Sequence, residues 1–175
     1  EARAAGKIGS PFIIAAQDFV ELVDGRLAYV MELVRGRPLR ADVGGGRGAI
    51  ALDRFFGVFR QVCKGLDAAH EQSIVHRDVK PDNIMIEAQP RPDRARLLDF
   101  GVASISKTVE RRAGDLVGTP FYVAPEILSG ETYDELVDLY SLGCTAYEML
   151  AGRPPFNYEQ VPDLLNAHVL EPATP

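Results

Sequence analysis

The chain has 175 residues, 46% of them hydrophobic, so it is long enough to bury a core and too apolar to be a disordered tail. Nineteen basic residues against 25 acidic ones leave a net charge of −6, which gives no support to binding of nucleic acid or of an anionic membrane surface. No apolar run approaches the length of a membrane span, and no stretch reads as a secretory signal.

Residues 1–8 are helix-friendly, and Gly9-Ser10-Pro11 ends that pattern. Residues 12–16 and 27–34 read as strands, with Asp24-Gly25 as the turn between them. Gly36 and Pro38 punctuate the next connection. The glycines at 44, 45, 46 and 48 lack the G-x-G-x-x-G order and a preceding strand, so they read as a flexible linker and not as a phosphate cradle. Residues 50–73 form an amphipathic helix, with Leu52, Phe55, Phe56, Phe59, Val62, Leu66 and Ala69 at helical spacing and the phenylalanines expected in the core. Short strands follow at 84–86 and 97–98. Residues 99–126 have few apolar runs and read as a mostly irregular loop. Residues 136–150 are a second apolar helix, ended by Gly152 and Pro154-Pro155, and 161–170 a short final helix. Cys63 and Cys144 fall in the helical stretches and read as buried small hydrophobes of a reducing compartment, in preference to a disulfide or metal pair.

The chemistry is concentrated in two stretches. His76-Arg77-Asp78-Val79-Lys80-Pro81-Asp82-Asn83, followed by Asp99-Phe100-Gly101, brings together a carboxylate base, a lysine and two metal-seeking groups, the set that phosphoryl transfer needs. Lys80 stands two residues after Asp78, so in an extended loop both side chains point to one side. Gly101 allows a sharp turn after Asp99. Ala124-Pro125-Glu126 comes next in order.

In that order and spacing these motifs resemble the catalytic loop, magnesium loop and activation-segment end of eukaryotic-type (Hanks-type) serine/threonine protein kinases, in their bacterial style. The resemblance spans nearly the whole chain. It implies an α+β, protein-kinase-like fold, mostly the helical large lobe with a truncated small-lobe sheet. Residues 1–175 are then a single partial domain, with 1–34 the remnant of the small lobe and hinge and 35–175 a C-terminally incomplete large lobe. The implied activity is transfer of the ATP γ-phosphate to a serine or threonine hydroxyl of a protein substrate, with ATP and Mg2+ as cofactors, in the cytoplasm. Many bacterial relatives carry a membrane helix after the domain, and nothing in this chain shows one.

Carried over residue by residue, Asp78 is the base, Lys80 neutralises the moving phosphate, and Asn83 and Asp99 hold magnesium. Thr119, in Gly118-Thr119-Pro120, seats the substrate residue near Asp78 and Lys80. Residues 29–34 resemble the hinge, with Met31 as gatekeeper, the Glu32 carbonyl and Val34 amide on the adenine edge, and Met85 as the floor under the ring. Asp138 opens the central helix and is expected to be buried and hydrogen-bonded to the catalytic loop. Asp115, four residues before Thr119, stands near the place where many relatives carry a phosphothreonine facing Arg77. It is either a partial substitute for that charge or an ordinary solvated loop aspartate. Ser104, Ser106, Thr108 and Thr119 are the remaining candidate phosphate acceptors.

The glycine-rich loop and strand lysine of the family do not appear. Glu1 aligns with the glutamate that pairs with that lysine, and Lys7 is no substitute. Glu126 lacks its expected arginine partner, so it should be more solvated or borrow another donor. The isolated chain is expected to bind ATP weakly and turn over little. Two other readings are a pseudokinase scaffold on the same fold and a small-molecule kinase of the aminoglycoside type. Intact Asp78, Asn83 and Asp99 weigh against the first, and Lys80 with Ala124-Pro125-Glu126 against the second.

Overall fold

The structure, a computed structural model, describes residues 8–14, 16–44, 48–87, 93–98, 120–130 and 132–174. The expected helix before Ile8, Asp99-Phe100-Gly101, Ser104, Ser106, Thr108, Asp115 and Thr119 lie outside the described residues.

Strand β1 (Ala16–Glu21) and strand β2 (Leu27–Met31) form an antiparallel ribbon, turned at Asp24-Gly25 with Gly25 at φ 81°. A second antiparallel sheet has the order β3 (Gly36–Pro38), β4 (Ile84–Glu87), β5 (Ala95–Leu97). The strand expected at 12–16 is displaced. Residues 12–14 instead lie along β5 through a parallel bridge of Ile13 with Leu97, and pairing with β2 begins at Ala16. Two backbone bonds of 2.8 Å, Ile14 N–H to Leu97 O and Leu97 N–H to Phe12 O, fix this arrangement. It buries Ile13 and Ile14, which an exposed two-stranded ribbon could not do.

Helix α1 (Leu52–His70) presents Phe55, Val58, Val62, Leu66 and Ala69 to the core at helical spacing. Leu52 and Phe56, expected on the same face, are exposed at 63% and 57%. Phe56 sits about 100° around the helix from Phe55 and covers its ring edge-on at 5.2 Å, at the rim of the core. The helix stops three residues before the expected 73. Ser73 takes a left-handed conformation (φ 58°), and the Ile74 N–H returns to the Ala69 carbonyl at 3.0 Å.

Helix α2 (Pro125–Ser129), helix α3 (Leu136–Ala151) and helix α4 (Val161–Leu170) complete the order, with Gly152 closing α3 at φ 73°. One core joins α1, β4, β5, the turn at Leu39–Ala41 and Met149 of α3; a smaller one joins Phe156, Leu164 and Ala167. Cys63 and Cys144 are free thiols. Burial pushes the Cys144 thiol up to about 12, which leaves it unreactive.

Helix α1 packs on β5 at Gly65, where an added Cβ would stand 2.9 Å from Leu97 Cδ1 and 3.1 Å from the Phe12 carbonyl oxygen. Gly65→Ala should therefore cost about 1–3 kcal/mol in urea denaturation despite its better helix propensity.

His168 of α4 is 5% exposed, with Tyr140 Oη at 2.7 Å from Nδ1 and the Phe156 ring edge-on at 4.9 Å. Burial pulls its pKa below the ordinary 6.5, and a backbone contact at Pro120 offsets part of this. The unfolded chain takes up that proton more readily, so the stabilisation is complete above the unfolded pKa and is lost as pH falls through the folded one. Thermal midpoints should drop between pH 7 and pH 5, and His168→Gln should flatten that drop.

Candidate active site

The loop from His76 to Lys80 has no regular secondary structure, so side chains must supply the bonds that hold it. Asp138, in the first turn of α3 and 0% exposed, supplies most of them. Its Oδ1 accepts the Arg77 N–H at 2.7 Å, and its Oδ2 accepts the His76 N–H at 2.8 Å. His70 Nε2, from the last turn of α1, lies 2.8 Å from the same Oδ2. The buried carboxylate expected from the sequence is thus present and satisfied.

Arg77 adopts φ 70°, a left-handed conformation uncommon for a residue with a side chain. The Asp138 bond pins its amide there, and its guanidinium lies 5.7 Å from the Tyr133 ring centroid. His76 is 1% exposed and links two segments. Its Nε2 lies 2.8 Å from the Leu98 carbonyl, and its Nδ1 accepts the Asp78 N–H at 3.2 Å.

That frame presents a compact polar knot. Lys80 Nζ donates to Asp78 Oδ2 at 2.7 Å, and Asn83 Nδ2 donates to the same oxygen at 2.9 Å and to the Asp78 backbone oxygen at 2.8 Å. A short 3-10 turn, Pro81–Asn83, delivers Asn83, and the Leu98 N–H closes onto the Asn83 carbonyl at 2.9 Å. The Asp78 side chain remains 47% exposed, and that of Lys80 32%. Among the described residues no three His, Cys, Asp or Glu side chains converge as a metal site.

Against this geometry, a model of the protein kinase domain matches residues 1–172. The chain belongs to the protein kinase domain family. Its curated relatives include the serine/threonine-protein kinase Pkn1 of Myxococcus xanthus, 42% identical over 178 residues that cover all of this chain and 25% of that protein. PknE of Mycobacterium tuberculosis is 40% identical over 171 residues, covering 97% of this chain and 29% of the relative. The chain therefore spans about a quarter of the length of the curated relatives it matches. A crystal structure of the Mycobacterium tuberculosis PknI kinase domain aligns with a TM-score of 0.70 at 28% identity, covering 89% of this chain and 55% of that one. The bacterial Hanks-type kinase family and its α+β fold are thus those that the motifs implied.

In this kinase domain the hinge-like residues 29–34 begin within β2, whose last residue is Met31. Met31 is 37% exposed, Val34 is half-buried, and the Glu32 carboxylate pairs with Arg96, which holds it below the usual carboxylate range. Met85 on β4 is half-buried and stands opposite Arg96 of β5 in register. Neither methionine belongs to the buried core.

Arg96 is a residue that sequence reasoning overlooked. It also donates to the Ile13 carbonyl at 2.8 Å and approaches Glu87 at 3.4 Å, so it ties Glu32, just after β2, to the strand leading toward Asp99. Its signal was an arginine alone between Ala95 and Leu97 in a buried strand, where a charge needs a partner. His70 was overlooked as well. Glu126 is half-buried and forms no ion pair among the described residues.

Asp138→Asn removes the charge and one acceptor at a fully buried position while three donors remain. It should lower stability by about 3–5 kcal/mol, read from the urea midpoint at constant m-value.

Proposed function

We propose that this chain is the catalytic part of an ATP- and magnesium-dependent serine/threonine protein kinase. The observation that carries the reading is the convergence of Lys80 and Asn83 on one oxygen of Asp78. Those two bonds orient the carboxylate, and among the described residues no donor reaches its other oxygen, Oδ1. Asp78 Oδ1 is then the atom that accepts the proton of a serine or threonine hydroxyl. Lys80, held 2.7 Å from Asp78, lies within reach of the same reacting centre and lowers the negative charge of the phosphoryl group in flight.

The donor set suits magnesium. Asn83 spends both N–H groups on Asp78, so its amide oxygen is the end left for a hard cation. Asn83 and Asp99 would hold the ion, which when bound neutralises charge on the nucleotide phosphates. Met31, the Glu32 carbonyl and the Val34 amide would grip the adenine edge, with Met85 beneath the ring. Thr119 would seat the acceptor residue. The partners are then ATP and a protein substrate.

The test uses the full-length protein and a generic basic protein as phosphate acceptor. Asp78→Asn should lower kcat by about 10²–10⁴-fold with nucleotide affinity retained. Undiminished transfer by that variant, or none by the wild type, would overturn the reading and favour a binding module on the same fold.

A further inference from the structure

Arg40 follows β3 in the 3-10 turn Leu39–Ala41, far in sequence from the motifs. Its three guanidinium nitrogens each serve a different segment. Nε donates to Asp82 Oδ2 at 3.1 Å, in the turn between Lys80 and Asn83. Nη1 donates to Glu148 Oε1 at 2.5 Å, inside α3. Nη2 donates to the Tyr122 hydroxyl, three residues beyond Thr119. Tyr122 completes the ring by donating to Glu148 Oε2 at 2.5 Å.

Glu148 is 2% exposed, so a full cation beside it is a condition of its burial. Burial alone would lower the Arg40 pKa, but its bonds to Glu148 and Tyr122 raise it above the ordinary value, and the charge is permanent. Gly44 makes room for the pair. A Cβ there would stand 2.8 Å from Glu148 Oε1 and 3.0 Å from Arg40 Nη1, and its φ of 71° disfavours any side chain. A glycine that reads as linker in the sequence thus also serves packing. Only a planar fork meets three acceptors in three directions; a lysine point charge does not.

We infer that Arg40 is a positioning residue for phosphoryl transfer. It sets the distance between the turn that carries Lys80 and Asn83 and the segment at Tyr122, three residues beyond Thr119. The inference rests on the kinase reading above. It assigns Arg40 no contact with nucleotide or phosphate, so its loss should leave the KM for ATP unchanged.

Two variants of the full-length protein test it. Asp82→Ala cuts only the link to the turn, at a half-exposed side chain, and leaves Glu148 paired. Arg40→Lys keeps a cation beside Glu148 but gives up the fork. Each should lower kcat roughly tenfold with the KM for ATP within twofold of wild type. The double variant should lose less than the product of the two single losses. The Asn83 amide, bonded to the Lys80 carbonyl at 3.0 Å, should exchange its hydrogen about tenfold faster in Asp82→Ala, with amides of α1 unchanged. If kcat and Asn83 exchange both stay within twofold of wild type in Asp82→Ala, Arg40 is a structural residue only and the inference falls. A wild type that transfers no phosphate would sink the kinase reading, and Asn83 exchange alone would then decide whether Arg40 holds the turn.

Discussion

A single buried carboxylate, Asp138, organises the candidate site. Burying a charge is costly unless donors surround it, and here three converge: the consecutive backbone amides of His76 and Arg77 and the ring of His70. The direction of stabilisation matters. A loop without a ladder of its own cannot satisfy its amides, and an isolated buried carboxylate cannot satisfy itself. Each resolves the other's deficit, and the left-handed Arg77 is the local strain accepted for it. Because Asp138 belongs to α3 and His70 to α1, the position of Asp78 is tied to helices that build the larger core among the described residues.

Arginines from strand β5 and from the turn after β3 fix what that carboxylate leaves open. Arg96 joins the hinge side to β5, and Arg40 joins the turn at Asp82 to α3 and Tyr122. Glu148 is held almost fully out of water and Glu87 largely so, and there the cation beside the carboxylate matters most. The exposed pairs, such as Arg26 with Asp24, contribute little by comparison.

Much of this was legible in the sequence, for identifiable reasons. The three long helices follow from apolar periodicity, and their observed ends lie within three residues of the expected ones. The motif residues from His76 to Asn83 were recognisable by their spacing; the burial of Asp138 followed from the family resemblance, and its hydrogen bonds from the cost of leaving a buried charge unpaired. The strand expected at 12–16 failed because a short apolar run does not reveal its partner, and the partner was β5. Leu52 and Phe56 failed because periodicity defines a face but not the edge of the core. Arg40 and Arg96 were harder to place: Arg40 pairs with Glu148, 108 positions away, and Arg96 with Glu32, 64 positions away, so a lone arginine in a buried strand signals that a partner exists but not which one.

Native-state hydrogen exchange of the His76 and Arg77 amides examines the role of Asp138 without any activity assay. If the buried carboxylate welds the loop to the helical core, both amides should exchange only through global unfolding, with the same free energy and denaturant dependence as Leu66 and Ala69 in α1. Exchange of His76 and Arg77 through a low-energy local opening, while α1 remains protected, would contradict the account.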